Sequence, residues 1–172
     1  TVSRLLRIVD SHAKNYHDRK VRNVESRQVQ ADEIRSFVGK KEARVPREEK
    51  GGEEGDCWTY TALCRDSKLL LGYRVAPRRD AEQALAFMDD LADRLATRVQ
   101  FTTDGDSIYV RAVELAFGWQ QVDYAMLIKI YGSSPEGERR YRPPECLGTE
   151  KKAIMGAPTR TWCARFTLSG RT

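Results

Sequence analysis

Two aspartates have the type and setting of ligands in a hard-metal phosphoryl-transfer centre. Asp32 lies in the β-prone run VQADEIRSFV, next to a second acid, Glu33; Asp104 ends RVQFTTDG, where an apolar strand runs into an Asp-Gly turn. Carboxylates are oxygen ligands suited to Mg²⁺, and they leave coordination positions for phosphate and water. Two such ions activate the attacking oxygen and stabilise the leaving one during in-line displacement. Each acid alone has a plainer reading, since Asp-Gly is a common turn and Asp-Glu pairs are common on surfaces. The chemistry therefore depends on whether the fold brings residues 32 and 104 together. A third carboxylate from a later helix usually completes such a ligand set.

Other ligand types offer less. The four cysteines (57, 64, 146 and 163) form no CxxC pair, and His12 and His17 sit on a basic helical stretch, which argues against a zinc ribbon or a disulfide-stapled domain. Cationic side chains cluster in two places. Arg4, Arg7 and Lys14 lie on the first helix; Arg139, Arg140, Arg142, Lys151 and Lys152 surround Pro143-Pro144 with Tyr131 and Tyr141 nearby. Both groups suit contact with a DNA backbone, and both suit an ordinary solvated surface. Trp58, Tyr60 and Trp119 read as core or strand-pairing residues, and Cys57 as buried structure.

The elements that must position the acids follow from periodicity. Val2, Leu5, Leu6, Val9, Ala13 and Tyr16 recur at helical spacing. A first strand spans 27–38, and 40–56 is a charged, Gly-containing loop. CWTYTAL (57–63) and KLLLGYRV (68–75) read as a hairpin pairing with that strand. Asp80 caps a helix with Ala81, Ala84, Leu85, Met88, Leu91, Ala92 and Leu95 on one face. RVQFT (98–102) is a fourth strand, a helix follows with Ile108, Ala112, Val113, Leu115 and Ala116 inward, and 121–131 is a last strand. Three antiparallel strands, then helix, strand, helix, strand, is the ribonuclease H-like α/β arrangement, a mixed sheet with right-handed crossovers. In it an acid of the first strand lies beside an acid at the carboxyl end of the fourth, the places of Asp32 and Asp104.

Several long stretches carry a resemblance. VQADEIRSFVGKKE (29–42), GDCWTYTAL (55–63), RDAEQALAFMDDLADRLATRVQFTTDG (79–105) and ECLGTEKKAIMGAP (145–158) resemble bacterial insertion-sequence transposases with a ribonuclease H-like core and an Asp-Asp-Glu triad. The resemblance runs from about Thr1 to Pro158. It implies Asp32 and Asp104 as catalytic, metal-holding acids, Mg²⁺ (or Mn²⁺) as two ions, and DNA as partner, both element ends and target. The implied reaction cuts DNA and joins the freed 3′ hydroxyl to the target. A cytoplasmic bacterial setting is implied too, and homo-oligomer formation is left open. TVSRLL resembles the tail of a helix-turn-helix recognition helix, giving a division into 1–24 (DNA-binding tail), 25–158 (catalytic core) and 159–172.

Departures bear on activity. Arg35 stands where the family has Trp, and Asp106 where it commonly has His, a charge reversal beside the site. Beyond Pro158 the family continues to a Val-Glu-Arg-x-Asn helix, whereas this chain reads TRTWCARFTLSGRT. Glu145 and Glu150 match a segment preceding that helix and are not expected to substitute. Read one base earlier, Thr167–Thr172 can encode GTT-GAG-CGG-GCG-AAC, Val-Glu-Arg-Ala-Asn. The tail is therefore expected to be out of frame, the fold incomplete at its C-terminus, and turnover weak or absent. The rival readings are a non-catalytic DNA-binding remnant and a stand-alone ribonuclease H-like nuclease.

Composition fits these expectations and narrows little further. The 172 residues hold 30 Lys and Arg against 25 Asp and Glu, a net charge of +5, and are 40% hydrophobic and 32% charged. That suits one globular domain. No apolar run reaches the ~18–20 residues of a membrane span, and no secretory leader is recognisable.

Overall fold

In the computed structural model, residues 2–132 and 146–159 are described. Helix α1 (Val2–Lys20) leads into strands β1 (Gln28–Val38), β2 (Gly55–Cys64) and β3 (Leu70–Ala76). Helix α2 (Ala81–Arg94), strand β4 (Val99–Asp104), helix α3 (Ile108–Gln121), strand β5 (Val122–Tyr131) and strand β6 (Cys146–Met155) follow. The six strands form one sheet in the order β3-β2-β1-β4-β5-β6. β2 is antiparallel to both β1 and β3, β4 and β5 are parallel to β1, and β6 returns antiparallel to β5. Its first five strands have the ribonuclease H-like order and directions. Among the described residues, no helix is long and apolar enough to cross a membrane.

Strand alternation explains which face each residue serves. Val29 and Ala31 of β1, Tyr60 and Ala62 of β2, Phe101 of β4 and Tyr124 of β5 are buried in the main apolar cluster. They meet Phe87, Met88 and Leu91 of α2 and Tyr109, Val113 and Phe117 of α3. Tyr60 packs against Phe87 and Tyr109, and Phe101 against Phe117 and Tyr124. Burying each such side chain stabilises the domain by about 1.5–3 kcal/mol before entropy is charged against it. Asp80 caps α2 as its sequence suggests, accepting a 3.0 Å bond from the Gln83 backbone N–H. Such a cap is worth about 1 kcal/mol.

Several local expectations change. CLGTEKKAIM (146–155), read only as part of a motif before a catalytic helix, forms edge strand β6. Its alternation is obscured by Glu150, Lys151 and Lys152, which are tolerable because an edge strand need not bury both faces. The 40–56 loop contains two single 3₁₀ turns, 42–44 and 47–49, and β2 begins already at Gly55. Leu115 is exposed rather than inward, and Trp119 is exposed rather than core. Gly118, at φ +61°, breaks α3 just before Trp119, so helical periodicity does not carry through. Cys57 is half-buried. The apolar residues of α1 (Val2, Leu5, Leu6 and Val9) are exposed, and no residue of that helix is buried.

The carboxyl end of α1 is nonetheless tied down. Buried Arg94 donates to Asp18 Oδ1 at 2.6 Å and to Asp90 Oδ2 at 2.7 Å, and reaches the Val21 carbonyl at 3.3 Å. His17 Nε2 lies 2.9 Å from the Leu70 carbonyl oxygen on edge strand β3.

Candidate functional site

β1 and β4 pair only from Gln28–Gln100 to Gln30–Thr102. The next position of the same face would set Asp32 opposite Asp104, and there the ladder has ended. Both side chains line a small cleft with Gln30, Thr102, Leu127 and Lys129, on the face turned away from α2 and α3. Glu33 comes from the helix-covered face, opposite Tyr60 in β2. Beyond the end of the β1–β4 ladder its carboxylate still approaches the other two. One oxygen from each of Asp32, Glu33 and Asp104 lies within 4.8 Å of the others.

The electrostatics of this trio are uneven. Burial pushes the Asp32 carboxyl up from its ordinary value, and the charge of Asp104 adds to the rise; the Glu33 backbone N–H, donating at 2.9 Å, and the cations Lys129 and Arg79 pull it back. Burial also raises Glu33, against the pull of the Tyr109 phenol and the Arg79 guanidinium. Arg79 Nε donates to Glu33 Oε1 at 3.0 Å, and Arg79 Nη2 lies 2.5 Å from Asp106 Oδ2. The guanidinium sits over the Trp58 ring at 5.3 Å, and Arg35 approaches the same ring at 5.7 Å while pairing with Asp56.

The loop after β4 is anchored by its own acids. The Asp106 N–H donates to Asp104 Oδ1 at 3.2 Å, and Asp106 Oδ1 accepts from the Ile108 N–H at 2.9 Å as α3 begins. Asp106, read from sequence as a charge reversal beside the site, has a helix-start role and a cationic partner. Thr103 Oγ1 and the Tyr124 hydroxyl are 2.8 Å apart beneath the site. Three carboxylate oxygens in reach of one point, two of them desolvated, form a donor set that fits a hard divalent cation. Asp32 and Asp104 would hold it; Glu33 is already engaged by Arg79.

The fold brings Asp32 and Asp104 together and separates the basic residues. Arg4, Arg7 and Lys14 are exposed on α1, whose end docks at the β3 edge, whereas Lys151 and Lys152 are exposed on β6 at the opposite edge. Glu150 is exposed on β6, opposite Ile128. Arg139, Arg140, Arg142 and Glu145 lie outside the described residues. Glu33 and Arg79 were not singled out by motif. Strand alternation turns Glu33 away from Asp32, and the proximity of their carboxylate oxygens reverses that inference.

No protein-family model matches the chain, and no curated protein matches it. Among solved structures it is similar to the piggyBac transposase in a synaptic complex with hairpin DNA (TM-score 0.41, 14% identity, 70% of this chain and 27% of that one). It is similar to the Aquifex aeolicus Argonaute (TM-score 0.35, 14% identity, 64% of this chain and 16% of that one). A third is endonuclease V from Bacillus subtilis (TM-score 0.31, 12% identity, 71% of this chain and 55% of that one). The chain thus spans between 16% and 55% of the length of these three proteins.

Proposed function

We propose that residues 25–158 are the catalytic core of a metal-dependent DNA strand transferase of the insertion-sequence transposase kind, and that residues 1–24 belong to its DNA-binding region. The observation that carries this reading is the meeting of Asp32 and Asp104 where β1 and β4 part, with Glu33 beside them. A divalent ion bound there supplies charge stabilisation to a phosphoryl oxygen. Asp32 and Asp104 hold it, the anchored 104–108 loop keeps Asp104 in place, and Lys129 adds positive charge on the same cleft. Arg4, Arg7, Lys14, Arg139, Arg140, Arg142, Lys151 and Lys152 are assigned to DNA phosphates, a role that needs charge and reach rather than burial.

Turnover in this reading is weak. The sequence resemblance calls for a third acid, and Glu33 is spoken for by Arg79. Removing a single preorganised oxyanion-hole donor already lowers rate by about 10²–10³, and a missing metal-holding carboxylate acts on the same developing charge.

The test pairs Mn²⁺ binding, followed by electron paramagnetic resonance, with cleavage and strand transfer on duplex DNA in Mg²⁺ or Mn²⁺. Binding should be lost in Asp32→Asn and in Asp104→Asn, with cleavage slow in the unaltered chain. Mn²⁺ binding that ignores both substitutions would overturn the site. Robust strand transfer that disappears in Asp104→Ala would keep the site and overturn the weak-turnover reading.

A further inference from the structure

Glu33 is placed as a third carboxylate and held as something else. Its side chain is only 3% exposed, yet its one ionic partner among the described residues is Arg79, which simultaneously grips Asp106. The Tyr109 phenol faces Glu33 closely enough to lower its carboxyl, but neither that hydroxyl nor the Tyr60 hydroxyl, directly across the ladder, makes a hydrogen bond, whereas Arg79 Nε donates to Glu33 Oε1 at 3.0 Å. Arg79 is therefore the group that sets where Glu33 points. A buried carboxylate that loses its cation cannot stay charged without another, since an isolated ion away from water is very costly. The nearest place for another cation is the point shared with Asp32 and Asp104, with all three oxygens within 4.8 Å.

We infer that Arg79 is a positioning residue that withholds Glu33 from the metal centre, and that displacing Arg79 from Glu33 converts a two-carboxylate site into a three-carboxylate one. The inference rests on the metal-site reading above and adds its regulation. Any event that draws the guanidinium away, such as a DNA phosphate competing for it, would couple substrate arrival to completion of the ligand set. Arginine suits the part because its fork can grip two carboxylates at once and also favours phosphate. At 26% side-chain exposure, Arg79 is accessible to such a competitor.

The test measures Mn²⁺ affinity and, from water-proton relaxation, the number of water molecules left on the bound ion. Arg79→Gln should tighten binding about tenfold and remove about one water from the ion. Arg79→Lys, which keeps the charge but not the fork, should show a smaller change in the same direction and guards against a folding defect in the glutamine variant. In Arg79→Gln combined with Glu33→Gln, the water count should return to that of the unaltered chain. An unchanged water count in Arg79→Gln, or a drop that persists in the double variant, would overturn the role of Arg79. Asp32→Asn separates the two claims: if it abolishes Mn²⁺ binding while Arg79→Gln changes nothing, only the positioning role falls. If the unaltered chain binds no Mn²⁺, the metal site falls and the positioning role falls with it.

Discussion

Asp32→Asn should stabilise the metal-free protein. Two unit charges no more than 4.8 Å apart repel by at least about 3.5 kcal/mol at an effective dielectric of about 20. Attraction of Asp32 to Lys129 and Arg79, and water at the open side of the cleft, offset most of that. Asparagine keeps an Oδ1 able to accept the 2.9 Å bond from the Glu33 N–H, so little else is lost. The net expectation is a gain of about 1 kcal/mol, or about 2–4 °C in melting temperature for a domain of this size. Direction with pH follows from the raised Asp32 carboxyl. The penalty is present while Asp32 is ionised and vanishes as pH falls through its raised value, so the variant's advantage should shrink on acidification. Thermal unfolding followed by circular dichroism in EDTA, from neutral pH down into the carboxylate range, measures both. Mn²⁺ at a hundred times its dissociation constant should then stabilise the unaltered chain by about 2.7 kcal/mol and the variant hardly at all, reversing their order. Equal or lower stability of the variant in EDTA, or equal stabilisation of both by Mn²⁺, would refute the reasoning.

Three further outcomes follow from other parts of the molecule. Leu91→Ala empties a fully buried position between α2 and the sheet and should cost about 2–5 kcal/mol, read from the denaturation midpoint with an unchanged slope. Asp18, held below the usual carboxylate range by its hydrogen bond to Arg94, stabilises the docking of α1 above that range. The contribution is lost as pH falls through its lowered value, and hydrogen exchange of residues 14–20 should rise there, but not additionally in Asp18→Asn, which lacks the charge from the start. Exchanging Lys151 and Lys152 for Gln should weaken duplex binding uniformly across sequences. It should also reduce the dependence of log K on log salt by about 0.9 per phosphate contact removed.

How much of the site was legible depended on whether the relevant contact is local. Asp32 and Asp104 could be paired from sequence because period-2 and period-3.6 patterns give the element order, and in that order the first half of β1 lies beside the carboxyl end of β4. The cap at Asp80 was legible for the same reason, its partner Gln83 being three residues away. β6 was missed because its charged residues hide the alternation, and an edge strand is permitted such residues. Trp119, read as a core or strand-pairing residue, is exposed just after the break in α3 at Gly118.

The sequence by itself determined the strand and helix order, the two aspartates and the basic stretches, all features set by nearest neighbours and by periodicity. Tertiary structure alone decided three things. It showed that Glu33 joins the acids from the other face of the sheet, since alternation alone turns it away from Asp32. It showed that Arg79, 46 residues further along, donates a 3.0 Å hydrogen bond to Glu33. It also put the basic residues of α1 and β6 at opposite sheet edges, because packing and strand order, not sequence distance, set where surface charge lies.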